Sequence, residues 1–373
     1  MGNSRLVTGL FSALVLIGCT AHQPVYRPIA TDAFADSLEQ WSALHPDKRI
    51  EPHDRHQILA IADNLLLMQR NSGGWPANRN PFRKLSDDER LQFLKDQNAQ
   101  DGSFANHTMF PQIFYLSHVY LQTGDVRYRN AARKGLRLVL AAQLYNGGWT
   151  LNARPATAIA VDQAVVDTAV TLDALRFLRK VAAGLMPYGY IPFDVRREAA
   201  EAVRKGDALL LRLQQAHNSR ASIWAGAYSL ETSRPAAARG QPLPTLDVAV
   251  STDIVRYLMQ IQRPPAEVIR AVEGAVDWFE RNSMQRWYSR LPQVAYGGPW
   301  PHSESLPSTE PLWASHYQID TSAPVVAGAS LAAQDTGVVY GPGVGAWAET
   351  LLSEAYPAWR EANIRPAGAP ASL

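Results

Sequence analysis

The chain has 373 residues, of which 46% are hydrophobic and 19% charged, enough apolar material for one large core. Its formal net charge is +2 and no arginine-rich tract follows the N-terminal region, which excludes bulk nucleic-acid binding and leaves no nucleic-acid partner expected. A single cysteine excludes a disulfide framework, so packing must supply the stability.

In chain order, Arg5 precedes a short apolar run, Leu10 to Ile17. A brief positive region followed by a brief apolar run reads as a secretory signal over residues 1–18, too short to span a membrane as a helix. The run closes on Leu16-Ile17-Gly18-Cys19, which resembles a bacterial lipobox. That resemblance implies cleavage before Cys19, lipidation of Cys19, and a membrane partner through the lipid. Thr20 after the cysteine, rather than aspartate, implies sorting to the outer membrane. An ordinary signal with an incidental cysteine is the alternative. Residues 19–50, with Pro24, Pro28 and Pro46, read as a tether. Residues 51–365 read as the folded domain, expected to be monomeric, and 366–373 as a frayed Pro/Ala-rich tail.

Within the domain the phrase QRNSGGWPAN at Gln69 to Asn78 returns as QLYNGGWTLN at Gln143 to Asn152. Trp75, Trp149, Trp224 and Trp300 stand 74, 75 and 76 residues apart, a period of roughly two helices. Gln214 leads the third copy less regularly, and the fourth, QVAYGGPW from Gln293, is the loosest. Apolar spacing predicts helices over Phe104–Gln122, Val126–Gln143, Asp162–Ala183, Asp194–Gln215, Val250–Ile261, Pro265–Asn282 and Gly345–Glu361. Gly124 suits a helix stop and Asp125 a cap for the next helix. The fold class expected is all-α, an α/α toroid built from helical hairpins of about 75-residue period. The GGW loops have two compatible readings. Paired glycines permit a turn that lets the tryptophan fold back and lock a helix end. Loops gathered at one mouth could also stack indole rings on sugars.

The residues that carry a family resemblance are GGWPAN at Gly73 to Asn78, KGLRLVLAAQLYNGGW at Lys134 to Trp149, LRFLRKVA at Leu175 to Ala182, SIWAGAYSLETSRPAAARG at Ser222 to Gly240, IVRYLM at Ile254 to Met259, AVDWF at Ala275 to Phe279 and LWASHYQIDTSAP at Leu312 to Pro324. In this order the chain resembles the family 10 polysaccharide lyases, which are pectate lyases. The resemblance implies an α-helical toroid and β-elimination along polygalacturonate. It implies calcium held by carboxylates against the sugar's own carboxylate, and an arginine base. Arginine's pKa exceeds about 12, so a neutral form needs neighbouring positive charge. The family's arginine falls on Arg239 in PAAARG. The family's first and second calcium aspartates fall on Ala105 and Thr168, and a third family aspartate, in the loop after Trp224, falls on Ser229. A family glutamate falls on Gln112, an Arg-Asp pair on Ala329 and Ser330, and another arginine on Ser315. The fold-bearing positions match while the charged cleft positions do not.

The resulting candidates are Arg239 as catalytic base; Asp101, Asp162 and Asp167 as calcium ligands; and Trp75, Asn78, Asn106, His107, Gln112, Trp149, Trp224 and Tyr228 as substrate-binding residues, with Tyr145 a further aromatic. The partner implied is an acidic polysaccharide. Asp162 and Asp167 also read as helix caps, and His107 as a half-buried histidine satisfied by backbone. The alternative function is a non-catalytic glycan-binding outer-membrane lipoprotein on a lyase scaffold. A terpenoid-cyclase-like toroid shares Gln…Gly-Trp repeats, but its acidic cluster is missing. The one Asp-Asp pair, Asp87-Asp88, reads as a helix start.

Overall fold

The computed structural model describes residues 25–217, 219–238, 243–288, 311–325 and 343–364. Cys19 with its signal, Arg239, Trp300, the Ala329–Ser330 position and the 366–373 tail lie outside the described residues. Eleven α-helices are seen among the described residues: α1 (Ala35–Leu44), α2 (Ile58–Met68), α3 (Asp87–Lys95), α4 (Phe110–Thr123), α5 (Val126–Ala141), α6 (Thr168–Ala182), α7 (Phe193–Leu213), α8 (Val248–Leu258), α9 (Ala266–Arg281), α10 (Met284–Tyr288) and α11 (Tyr356–Asn363). The all-α expectation holds. Strands are two or three residues long and lie beside the starts of α6 and α8 or between the later loops.

Three hairpins form the frame: α4 packs on α5, α6 on α7 and α8 on α9. Neighbouring hairpins then join through α4–α6, α6–α8, α5–α7 and α7–α9 contacts. Local sequence sets the ends. Gly124 is left-handed at φ 71° and its N–H closes on the Tyr120 carbonyl at 2.8 Å, which stops α4. Asp125 then accepts from the Arg127 N–H at 2.8 Å and starts α5. Asp167 and Asp247 cap α6 and α8 in the same way, accepting from Val170 N–H at 2.9 Å and Val250 N–H at 3.0 Å.

The first glycine of each GGW loop has a specific duty. Gly73 and Gly147 sit at φ 100° and 103°, and a Cβ there would fall 2.6 Å from the Lys134 carbonyl oxygen and 2.5 Å from that of Lys205. Only glycine lets the loop lie this close to the next helix.

Three boundaries differ from the sequence expectation. The helix predicted from Gly345 starts later, because Val344–Gly345 pairs antiparallel with Trp313–Ala314 and a π-helical stretch, Leu351–Ala355, leads into α11. The helix predicted from Phe104 begins at Phe110, because Asn106 (φ 52°), His107 (φ 54°) and Met109 (φ 88°) turn the chain through left-handed conformations. The helix predicted from Asp162 begins at Thr168, because Val165–Asp167 pairs antiparallel with Ala227–Ser229. The expected tether also ends sooner than residue 50. Phe34 and Trp41 are buried, Phe34 meeting Phe82 and Tyr115 edge to face at 5.0 and 6.3 Å. Aromatic burial fixes this N-terminal segment to the domain. Among the described residues no helix is long and apolar enough to cross a membrane.

Candidate functional site

The repeat residues are locks on helix ends. The indole N–H groups of Trp75, Trp149 and Trp224 donate to the carbonyls of Leu65, Val139 and Leu210 at 2.8, 2.8 and 2.7 Å. Those carbonyls belong to the last turns of α2, α5 and α7, where helices leave acceptors unpaired. The glutamines complete the lock. Gln69 donates to Gly73 and Ala131 carbonyls, Gln143 to Gly147 and Ala202, and Gln214 to Ser222 and Ala271, all between 2.8 and 3.0 Å. Each glutamine thus ties its own loop to the next outer helix.

The fourth lock is Trp313, whose indole N–H donates to Phe279 at 2.9 Å at the end of α9. The motif missed in sequence is Trp-Ala-x-x-Tyr, present at Trp224–Tyr228 and Trp313–Tyr317. In both, the tyrosine hydroxyl accepts from the alanine N–H and donates to a helix-end carbonyl. Tyr228 joins Ala225 to Leu213 at 2.8 Å each, and Tyr317 joins Ala314 to Asn282 at 3.2 and 2.8 Å.

Trp75, Trp149, Trp224 and Tyr228 are therefore not sugar platforms. All four are fully buried with both faces packed. Gln112 is buried too, and its side-chain oxygen accepts from the Met109 N–H at 2.8 Å, which holds the turn before α4. Tyr145, with its ring exposed and its hydroxyl on the Leu230 carbonyl at 3.0 Å, is the aromatic candidate that does face solvent.

The approach to α6 and the segment that follows the second GGW loop form one mouth. A cleft of about 530 Å³ opens there, lined by Asn152, Arg154, Ile159 and Asp167 with Ala237 and Ala238. Asp167 is placed by the antiparallel pairing with Ala227 and by its cap on α6. Burial pushes its carboxyl above the ordinary range, against the pull of the Val170 N–H. Arg154 reaches the rim, one guanidinium N–H donating to the Gln100 carbonyl at 3.0 Å. The chain enters position 239 directly from Ala237 and Ala238, so two cleft-lining residues precede the candidate base.

Asp247 stands behind this cleft. An added Cβ on Gly226 would lie 3.5 Å from its Oδ2 and 3.6 Å from the Ala238 Cβ. Burial raises the Asp247 carboxyl, which faces His316 across an antiparallel pair and Asp253 along α8. Burial likewise lowers His316, against the pull of the Asp247 carboxylate. The folded state therefore penalises ionised Asp247. Protonation favours the fold, and stability is lost as pH rises through the raised value. Asp247→Asn keeps the capping oxygen and removes the ionisation. Its urea midpoint should rise relative to the parent on going from acidic to alkaline pH, and the two should converge below both carboxyl pKa values.

Asn78, Asn106 and His107 form a separate, strained cluster. Asn78 (φ 56°) accepts from the Asn106 amide at 2.6 Å. His107 bridges Asp36 at 2.8 Å through Nδ1 and Asp173 at 3.3 Å through Nε2. Left-handed conformations at non-glycine residues cost about 1–3 kcal/mol each, and the surroundings must hold them. They place His107 at a second cavity of about 540 Å³ with Phe110, Phe114, Asp173 and Arg176. The expectation that backbone satisfies His107 gives way to two carboxylates.

The calcium candidates separate. Asp101 is taken up by Arg70, whose Nε and Nη2 donate to its two oxygens at 2.6 Å each. Arg70 is 1% exposed, so this pair neutralises a buried cation. Asp101→Ala should cost about 2–3 kcal/mol by chemical denaturation, because a charged buried partner is left unpaired. Asp162 is exposed on the 3₁₀ turn Val161–Gln163 and does not itself line the cleft. Asp167 alone lines the cleft. Thr168, where the family resemblance places an aspartate, is buried and donates to the Ala225 carbonyl at 2.8 Å. Ala105, another such place, is buried as well. Calcium takes about six to eight oxygens, and among the described residues no three His, Cys, Asp or Glu side chains gather for a metal. These residues do not fit a resident calcium ion.

Residues 69–336 match a family model described as pectic acid lyase, more than two thirds of the chain. The chain is similar to the solved family 10 polysaccharide lyase from Cellvibrio cellulosa. That structure is 20% identical at a TM-score of 0.54, covering 79% of this chain and 85% of that one. An aspartate-to-alanine mutant of the same lyase, in complex with trigalacturonic acid, is 20% identical at 0.55, covering 80% and 86%. At that identity the likeness shows the fold. No curated protein matches.

Proposed function

The chain belongs to the pectic acid lyase family, and we propose that it cleaves a polygalacturonate-type acidic polysaccharide by β-elimination in the cleft around Asp167. The observation that carries this reading is the composition of that cleft among the described residues: the cation Arg154, the amide Asn152, the half-buried carboxyl of Asp167 with its raised pKa, and the two residues that lead into Arg239. The trigalacturonic acid bound by the Cellvibrio cellulosa mutant supports a uronate chain as the ligand.

Each residue then has a stated task. Arg154 pairs with a uronate carboxylate, and its planar fork suits that group. Asn152 hydrogen-bonds sugar hydroxyls at the rim. Asp167, whose carboxyl burial raises above the ordinary range, takes up a proton more readily than an exposed aspartate, and in its protonated form it donates a hydrogen bond to the uronate. The Arg154 charge and that hydrogen bond together offset the charge of the substrate carboxylate, which acidifies the adjacent C5–H. Arg239 takes that proton as base. The C5 electron pair forms the C4–C5 double bond, the C4–O bond to the next sugar breaks, and the departing oxygen gains a proton from solvent. The guanidinium must be neutral as it accepts the proton, which positive charge in the cleft, such as that of Arg154, favours.

Mass analysis of products tests this reading. Elimination yields one unsaturated end per cut and products lighter by one water than hydrolysis products. Hydrated fragments, or intact polymer with tight binding, would overturn it, and the latter outcome would favour the non-catalytic glycan-binding alternative.

A further inference from the structure

The end of the domain opposite the mouth carries exposed apolar side chains that the catalytic reading does not use. Leu185, Met186 and Phe193, in the connection between α6 and α7, are 56, 72 and 73% exposed. Leu121 and Val126, at the turn between α4 and α5, are exposed as well. The two turns share one end: the Tyr190 ring meets Tyr120 at 5.0 Å and its hydroxyl meets Ser117 at 2.9 Å. Contiguous exposed apolar surface marks an interaction site.

What covers this face follows from where the chain enters the domain. The Gln122 side chain, on the last turn of α4, clamps Arg27 by both backbone groups. It accepts from the Arg27 N–H at 2.8 Å and donates to the Arg27 carbonyl at 3.0 Å. The N-terminal chain therefore joins the domain at the apolar end. Cys19 stands eight residues before Arg27, a reach of at most about 28 Å when fully extended.

We propose that this end of the domain rests on the bilayer to which Cys19 is lipid-anchored, with Leu185, Met186 and Phe193 entering the interface and the cleft mouth facing away. A lipid anchor on a short leash brings this face to the membrane surface, and apolar insertion adds the second contact that stable anchoring needs. The rim suits anionic headgroups. The Arg129 guanidinium lies 5.6 Å over Tyr120, and that of Arg196 lies 5.9 Å from the Phe193 ring centre. The orientation leaves a long polysaccharide free to cross the mouth.

The inference rests on lipidation at Cys19 and is independent of the lyase reading. Because Cys19 is the chain's only cysteine, its lipidation leaves an introduced cysteine as the one thiol to label. The test uses the full lipidated chain in phosphatidylethanolamine–phosphatidylglycerol vesicles, with a nitroxide at Phe193→Cys, Met186→Cys or, on the mouth loop, Thr157→Cys. Intact mass first verifies the lipid. The expected result is a several-fold higher ratio of oxygen to water-soluble-nickel accessibility at 186 and 193 than at 157, falling to the 157 level in detergent-free soluble chain lacking Cys19. Equal ratios at all three positions on vesicles, or a chain that carries no lipid at Cys19, would overturn the proposal.

Discussion

Trp149→Ala should cost about 3–5 kcal/mol of folding stability, the range for emptying a buried large aromatic site. The ring is fully buried, its N–H holds the Val139 carbonyl at 2.8 Å, and its own backbone N–H is held by Thr171 Oγ1 at 3.1 Å. Removal therefore opens a cavity and bares the Val139 carbonyl at the end of α5, while the backbone bond to Thr171 at the start of α6 remains. Trp149→Phe should cost less, because it keeps most of the packing and loses a bond whose net worth is about 1 kcal/mol, with some further penalty for the bared carbonyl. Denaturant titration reads both. A sugar platform would behave in the opposite way, losing oligogalacturonate affinity at unchanged stability. Full stability in Trp149→Ala would overturn the lock.

Arg239→Ala should lower kcat on polygalacturonate by about a hundred- to ten-thousand-fold, the usual worth of a positioned general base. Affinity for the polymer should change far less, since Arg154 and Asn152 contribute the contacts along the cleft. Steady-state kinetics paired with a binding isotherm separates the two. A parallel loss of affinity and turnover would make Arg239 a uronate-binding residue instead.

The frame was legible because it is written in residue types that tolerate little else. Gln-x₃-Gly-Gly-Trp at Gln69 and Gln143 declares a turn, a close approach and a lock together. The third copy, whose indole bonds Leu210, keeps the tryptophan without the glycines. The fourth lock escaped for a physical reason. Spacing pointed to Trp300, whereas the lock depends on a Trp-Ala-x-x-Tyr turn whose insertion length is free, and Trp313 carries it.

The cleft was less legible. A family resemblance names positions, and burial decides what a position can do. Thr168 and Ala105 face inward here, so carboxylates could not simply be restored at those places. Asp101 looked available in sequence but answers a buried Arg70 far back in the chain. Asp247 carried no motif of its own. Its role appears only when Asp167-Thr-Ala-Val and Asp247-Val-Ala-Val are seen to start equivalent helices. The pairing of His107 with Asp36 and Asp173 joins residues far apart in sequence, and no local pattern announces it.

The central claim is that this mouth still eliminates. The most direct measurement is a time course of the ultraviolet absorbance of the C4–C5 unsaturated uronide, from the folded chain and polygalacturonate in calcium-containing buffer, with Arg239→Ala beside it. The account predicts a steady rise for the parent chain and a trace near background for the variant. A flat trace from folded parent protein that still binds the polymer, or equal rates for the two chains, would contradict it.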